Sequence, residues 1–284
     1  MRHAKSDYTS TLPGPLGVGL EAYVPFIGRD IAEPPLGDVA IPMLQVLPEV
    51  IAAKYADIDQ LVKPRASLQD ELKPLNKRFC KVLGERSEYV AYFQRQEVWG
   101  MWELVDASDA IATATIAAVP KRDSHLLRKI LMICPFNEVA ESVQSVLGEP
   151  PAYGMYGAGA LSTLGVPVGS AFLSTADESN AFSYIETPRS WWRFRGGPRL
   201  RCRELPREWT AGRWPGSRWL RPLYRRLAMG GTHAVYILRK STRRGSVASS
   251  RLGGRASSST SSTSPRSSTR GRSSTSTPWR STFM

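Results

Sequence analysis

From Ser241 to Met284 the chain is made mostly of Ser, Thr, Arg and Gly. A segment of this composition cannot bury enough apolar surface to offset the conformational entropy that ordering would cost. We therefore expect residues 241–284 to form a disordered basic tail. The part of the chain that can build a hydrophobic core is then limited to about residues 40–240, which is long enough for a substantial core.

The C-terminal quarter also carries the net charge of the chain. No Asp or Glu follows Glu208, whereas residues 209–284 contain 14 Arg and one Lys, and the formal net charge is +13. Residues 1–208, with 23 basic and 25 acidic side chains, are nearly neutral. This polycationic end predicts a polyanionic partner such as RNA or DNA. Any reaction that needs a carboxylate must find it before residue 209.

Cysteine usage and hydropathy predict an intracellular, soluble protein that makes no membrane contact. Cys80, Cys134 and Cys202 are far apart and form no C-x-x-C pair, so we expect reduced thiols and neither a zinc site nor a disulfide framework. The first ten residues contain no apolar segment of the kind found in signal peptides. The most apolar run, Ala110–Pro120, is too short to cross a bilayer.

The first 108 residues predict an irregular lead-in followed by a helical region. Residues 1–42 are rich in Gly and Pro, which interrupt any periodic apolar pattern. Apolar side chains then recur at three- and four-residue steps within residues 43–108, which is typical of amphipathic helices. We expect three such helices: Met43–Val62 with a break at Pro48, Leu68–Leu83 with a kink at Pro74, and Tyr89–Leu104, whose aromatic side chains should pack in the core.

Residues 109–240 have a mixed pattern. Residues 112–133 favour a β-hairpin with a basic tip, and Val168–Ala176 favours a short strand. The Gly pair at 230 and 231 precedes an apolar segment of helical length that ends at Leu238. Helices followed by mixed elements indicate an α+β fold.

Two cations flank the tip of the predicted hairpin. Lys121 follows Pro120 at the tip, and Arg128 lies on the returning strand. Two cations placed in this way can bind a triphosphate, and the Arg can do so through two hydrogen bonds. A solvated charged turn is the alternative interpretation.

Two further segments carry residues suited to nucleotide chemistry. Asp177 follows the strand candidate and could bind a hard cation such as Mg²⁺, with Phe182 beside whatever the metal holds. An Asp at a strand end is also a common turn residue or helix cap. Gly230 permits a positive φ or a close backbone approach, although an ordinary loop-to-helix junction has the same composition.

Taken in order, these segments resemble the reverse transcriptases of retroelements, over roughly residues 112–240. Val119–Arg128 is similar to the fingers hairpin of that family, Asp177-x-x-x-Ala181-Phe182 to its first palm motif, and Arg226-Leu227-Ala228-Met229-Gly230 to the motif usually written R-L-P-M-G. The resemblance implies a partial fingers-and-palm fragment within residues 109–240. It also implies individual roles: phosphate contacts for Lys121 and Arg128, binding of the catalytic Mg²⁺ or Mn²⁺ by Asp177 and the backbone of Glu178, exclusion of a 2′-hydroxyl by Phe182, and packing of Gly230 against template and nucleotide.

The chain departs from this family at several positions. Ala228 stands where Pro is usual, and Met132–Phe136 replaces residues among which the family has an Asp and an Arg. The family also needs a later hairpin with two adjacent aspartates, and no acid follows Glu208. Because two metal ions about 3.5–4 Å apart need several carboxylates, only an upstream acid such as Asp109 or Glu186 could help Asp177. We therefore predict a truncated, catalytically incomplete chain.

Two other functional interpretations stay open. One is a non-catalytic nucleic-acid-binding protein, which would use the tail together with Arg189, Arg193, Arg195, Arg199, Arg201 and Arg203 interleaved with Trp191, Trp192 and Phe194. Such binding would be independent of sequence and would weaken steeply with salt. The other is a chain that does not fold stably and has no function. For the tail itself, a retroelement remnant would explain its composition by a reading-frame change or truncation; the alternative is a genuine Ser/Arg segment that is open to phosphorylation.

Overall fold

The computed structural model describes residues 23–35, 37, 40–121, 124–148, 181–210 and 212–241. Within these residues helices and strands are interspersed, and the fold class is α+β, as the sequence predicts. The helices are α1 (Met43–Val46), α2 (Glu49–Ala56), α3 (Arg65–Arg78), α4 (Arg86–Phe93), α5 (Cys134–Val139), α6 (Val143–Leu147), α7 (Arg189–Trp192), α8 (Arg207–Thr210) and α9 (residues 234–241). The strands are β1 (Ile41–Pro42), β2 (Trp102–Asp106), β3 (Thr115–Pro120), β4 (Leu127–Met132), β5 (Ile185–Glu186), β6 (Leu200–Arg201) and β7 (Trp219–Tyr224).

The first two predicted helical segments form helices, and a proline stands immediately before α2 and before α3. The predicted segment Met43–Val62 is divided into α1 and α2 at Pro48, whose ψ of 142° lies outside the helical region. Pro64 stands in the same way immediately before α3. The helix α3 contains Pro74, which has no N–H to donate to the carbonyl of Asp70, yet it continues to Arg78.

The third predicted helix, Tyr89–Leu104, is wrong in its second half. The helix α4 ends at Phe93, a 3₁₀ helix covers Gln96–Met101, and the strand β2 begins at Trp102. The side chains of Trp102 and Leu104 are buried and Glu103 between them is half-buried, which is the two-residue alternation of a strand. Four of the five aromatic side chains are buried in the core, as expected: Tyr89, Tyr92, Phe93 and Trp102 are each at most 1% exposed, whereas Trp99 is half-buried.

The predicted hairpin is present as β3 and β4. The two strands pair antiparallel from Thr115 opposite Met132 to Pro120 opposite Leu127. On the edge of β3 that faces away from β4, Ile116 forms an isolated bridge with Val82, and Ala118 forms one with Val24. The hairpin is therefore held to both the lead-in and the α3–α4 connection.

A second, three-stranded antiparallel sheet has the order β2–β7–β6. In it, Trp102 lies opposite Tyr224 and Arg201 lies opposite Trp219. The strands β1 and β5 make a separate parallel pair. Most of the buried apolar side chains form one continuous cluster that includes residues from the lead-in, such as Phe26 and Ile31, and from α9, such as Ile237.

Some sequence predictions fall outside the described residues. These are the strand candidate Val168–Ala176, the metal-binding candidates Asp177 and Glu178, and residues 242–284 of the basic tail. No helix in the described part of the chain is long and apolar enough to cross a membrane.

Candidate functional site

The hairpin places the two predicted phosphate-binding cations on its tip and its outer face. The backbone N–H of Lys121 donates to the carbonyl of Leu126 at 3.0 Å, which closes the turn. Arg128 lies opposite Val119 and is exposed. Within the described residues neither cationic side chain has a hydrogen-bond or ion-pair partner, so both are available to an anion.

The next residue on the same strand, Lys129, faces the opposite way and is buried. Its Nζ lies 2.5 Å from Oε1 of Glu33 and 2.9 Å from the hydroxyl of Tyr92, which itself donates to Glu33 at 2.5 Å. The ammonium also lies 4.9 Å from the ring centre of Tyr224. Burial lowers the pKa of Lys129, but the charge of Glu33 more than offsets this effect, so the pKa is raised overall and the side chain stays protonated. Lys129 is thus a buried structural side chain and not a site for binding an anion.

Gly230 lies in a turn that Asn137 holds in place. The φ of Gly230 is +82°, a left-handed conformation that favours glycine. The side-chain amide of Asn137 donates to the carbonyl of Gly230 at 2.9 Å. Its oxygen accepts from the N–H of Thr232 at 3.1 Å and from the Thr232 hydroxyl at 3.2 Å. Asn137 belongs to α5, which begins two residues after the last residue of β4, so these bonds join the region that follows the hairpin to the Gly230 turn.

The segment that follows Phe182 contacts the residues that precede the Gly230 turn. Phe182 is half-buried in the 3₁₀ helix Ala181–Tyr184 and packs against the main core, and β5 follows it directly. The N–H of Leu227 donates to the carbonyl of Ile185 at 2.8 Å, and Glu186 forms a bridge with Arg226. The regions that follow the first two predicted motifs therefore each contact the third, through Asn137 and through Ile185.

Glu186, one of the two acids considered as a partner for Asp177, already has cationic partners. Its Oε1 accepts from Nε and Nη2 of Arg225 at 3.0 Å and 2.5 Å. Its Oε2 lies 3.8 Å from Nη1 of Arg226. A carboxylate paired with two guanidinium groups has little remaining capacity to neutralise a metal ion.

A buried arginine lies beside this pair. Arg195 is 2% exposed and donates from Nη1 to the hydroxyl of Thr187 at 3.0 Å and to the carbonyl of Arg226 at 2.9 Å. Its guanidinium lies 5.1 Å from the ring centre of Trp191 and 5.6 Å from that of Phe136. Burial without a carboxylate partner in the described residues lowers the pKa of Arg195 to about 10. Arg195 therefore stays charged and is used as a structural side chain.

His233 follows the Gly230 turn and is also buried. Its Nδ1 lies 3.0 Å from the hydroxyl of Tyr55, and its Nε2 lies 2.9 Å from the carbonyl of Glu141. A carbonyl can only accept, so Nε2 carries the proton and Nδ1 accepts from the tyrosine hydroxyl. Burial lowers the pKa of His233 to about 4, and the charge of Arg195 acts in the same direction. The imidazole is neutral at physiological pH.

The structure does not join the described candidate residues by direct bonds. Within the described part of the chain, no hydrogen bond or ion pair connects Lys121, Arg128, Phe182 and Gly230 to one another; Asn137 and β5 link the segments instead. The same part of the chain contains no group of three His, Cys, Asp or Glu side chains that could hold a metal ion, and Asp177 and Glu178 lie outside it.

The proposed use of the Arg/Trp-rich segment for base stacking is corrected by burial. Trp191 and Phe194 are 0% and 4% exposed, and Trp192 donates from Nε1 to the carbonyl of Thr187. These rings fill the core and are inaccessible to bases. Trp219, at 39% exposed, is the most exposed tryptophan in the described part of the chain, and its sequence neighbourhood carries no signal that separates it from the buried tryptophans.

Comparison with protein-family models finds none that matches this chain, and comparison with curated proteins likewise finds no match.

Proposed function

We propose that the chain is a reverse-transcriptase-like retroelement remnant, with a partial fingers-and-palm fragment that has lost nucleotidyl transfer. In this proposal Lys121 and Arg128 are contacts for nucleotide phosphates, Asp177 is a ligand of Mg²⁺ or Mn²⁺, and Phe182 and Gly230 lie against the nucleotide. The exposed, unpaired state of Arg128 is compatible with such a role.

Contacts between the regions that follow the first two motifs and the third motif support the proposal. The motifs are separated by about fifty residues each along the chain, yet Asn137 bonds to the Gly230 turn and Ile185 bonds to Leu227. A chance occurrence of three short patterns would not require these contacts. Asn137 follows the first motif and Ile185 follows the second, so each contact connects one of them to the third.

The supply of carboxylates supports the loss of activity. Residues 209–284 contain no Asp or Glu, so they do not contain the second aspartate motif of the family. Glu186 accepts hydrogen bonds from Arg225 and lies 3.8 Å from Nη1 of Arg226, which removes it as a substitute. Without further acids, the charge of two metal ions would be poorly neutralised.

Primer extension tests this proposal. The full chain is incubated with a primed RNA template, deoxynucleotides and either Mg²⁺ or Mn²⁺, alongside the Asp177→Ala variant and an active reverse transcriptase as a positive control. We expect no extension by either form of the chain. Extension by the wild type that disappears in Asp177→Ala would overturn the proposed loss of activity.

A second candidate function is sequence-independent binding of RNA or DNA without catalysis. The correction at Trp191, Trp192 and Phe194 removes the stacking surface that this function was expected to use. A different surface, which contains Trp219 and several unpaired cations, favours it instead.

A further inference from the structure

A cleft of about 880 Å³ lies between the end of α3, the α3–α4 connection and the strand β7. Its volume falls in the range of ligand-binding pockets, about 300–1,000 Å³. The residues that line it include Lys77, Lys81, Arg199 and Arg221, together with Trp219, the first residue of β7. The cleft is separate from the Gly230 turn and shares no lining residue with the candidate site described above.

The cleft has a strong positive charge that its own walls do not neutralise. None of the described residues that line it is an Asp or a Glu. Arg86 is paired with Glu204 at 2.6 Å, but the exposed side chains of Lys77, Lys81 and Arg199 have no ion-pair or hydrogen-bond partner within the described residues. Like charges gathered around a concave surface attract and concentrate anions.

A buried arginine with an unused donor reinforces this argument. Arg221 is 4% exposed, and its Nη1 donates to the carbonyl of Gly197 at 2.5 Å. Its Nε has no hydrogen-bond partner in the described part of the chain. Burial, and then the nearby charge of Arg199, lower the pKa of Arg221. The positive charges of Arg221 and Arg199 therefore repel each other when no anion lies between them. An anion in the cleft would relieve the repulsion and supply acceptors.

Trp219 adds an aromatic surface at the rim. Trp219 is 39% exposed, and the guanidinium groups of Arg201 and Arg86 lie 4.6 Å and 5.6 Å from the centre of its ring. Indole rings and guanidinium planes are the surfaces on which unpaired bases stack. A duplex keeps its bases stacked inside and has none to offer such a rim.

We propose that this cleft binds single-stranded nucleic acid, with phosphates on Arg221, Arg199 and Lys81 and a base on Trp219. The assignment deepens the nucleic-acid-binding function and rests on it. The basic residues bind the backbone without regard to sequence, and the aromatic contact distinguishes an unpaired strand from other polyanions.

Cys80 provides a probe inside the cleft, because it is half-buried among the lining residues. Cys134 is also half-buried but does not line the cleft, so it serves as an internal control. The full chain is treated with a thiol-alkylating reagent at 150 mM salt in the presence of increasing amounts of a 12-mer of thymidylate. Mass spectrometry follows the modification of each cysteine. We expect at least fivefold slower modification at Cys80 and no change at Cys134.

Matched variants test which side chains carry the effect. We expect Lys81→Ala with Arg199→Ala to raise the half-protecting oligonucleotide concentration about tenfold, and Trp219→Ala to raise it by a similar factor. Lys54→Ala with Arg207→Ala removes the same charge from exposed positions outside the cleft and should change it less than twofold. Each variant is compared with itself in the absence of oligonucleotide, because the substitutions also alter the intrinsic thiol reactivity.

The outcomes separate this inference from the broader function. Oligonucleotide binding in solution without protection of Cys80 would overturn the cleft assignment and leave nucleic-acid binding through other residues intact. Equal protection by a hairpin duplex or by heparin, unaffected by Trp219→Ala, would show a general polyanion site and overturn the assignment to single strands. Primer extension addresses Asp177 alone and does not depend on either result.

Discussion

Arg128 and Lys129 are adjacent cations on one strand, yet their environments are opposite. Successive side chains of a strand point to opposite faces, so one of the pair meets solvent and the other meets the core. Arg128 is exposed, whereas the side chain of Lys129 is 7% exposed and lies against Glu33, which is 2% exposed. The sequence singled out Arg128 as a phosphate contact and carried no indication that Lys129 has a buried partner 96 residues away.

Lys129→Met should be strongly destabilising. Methionine fills a similar volume but leaves the Glu33 carboxylate buried without its cation, and breaking a buried pair in this way costs about 3–5 kcal/mol. The free energy of unfolding from urea titration measures the loss. Lys63→Met removes one member of an exposed pair, Lys63–Glu71, and should cost about 1 kcal/mol or less. Similar losses in the two variants would contradict the structural role of Lys129.

At the scale of elements, the hairpin was the easiest part to predict and the boundary between α4 and β2 the hardest. The hairpin is a local structure whose alternation and turn are contiguous in sequence. At Trp102 the helical spacing of aromatics continues by coincidence, and pairing with Tyr224, far along the chain, makes the segment a strand. Such tertiary pairing overrides local periodicity.

The link between α5 and the Gly230 turn depends on Asn137. Asn137→Ala removes three hydrogen bonds to Gly230 and Thr232, with an expected cost of about 1–2 kcal/mol. We expect the amide of Thr232 to exchange with solvent about tenfold faster, as measured by hydrogen–deuterium exchange. Asn76→Ala is the matched control, because Asn76 makes similar bonds to Ile111 and Thr113.

In that control, faster exchange should be confined to the Ile111–Thr113 region. Unchanged exchange at Thr232 in Asn137→Ala would show that the turn holds without the link, and it would weaken the argument that joins the motif segments.

At the scale of the whole molecule, the buried neutral His233 makes stability depend on pH. Its folded pKa of about 4 lies below the ordinary value of 6.5, so between these values the unfolded chain binds a proton that the folded chain does not. Stability from this residue is fully present above pH 6.5 and is lost as the pH falls toward 4, by roughly 3 kcal/mol in total.

Urea titrations between pH 4 and pH 7 measure this dependence. His233→Gln should flatten the pH dependence over that window relative to the wild type. His125→Gln replaces an exposed histidine in the hairpin tip and should leave the curve unchanged. A wild-type slope in His233→Gln would contradict the assigned environment. A cooperative transition in these titrations would also count against the interpretation that the chain does not fold stably.

Composition and local spacing by themselves determined the charge distribution, the absence of carboxylates after Glu208, the hairpin and the helix break at Pro48, because each depends only on residues close together in the chain. Only the tertiary structure decided which of the aromatic and charged side chains are available. It buried Trp191 and exposed Trp219, and it paired Glu186 with Arg225. It also placed Arg221 beside Arg199 in a cleft without acids. Burial and charge pairing arise between segments that are distant in sequence, so no local pattern encodes them.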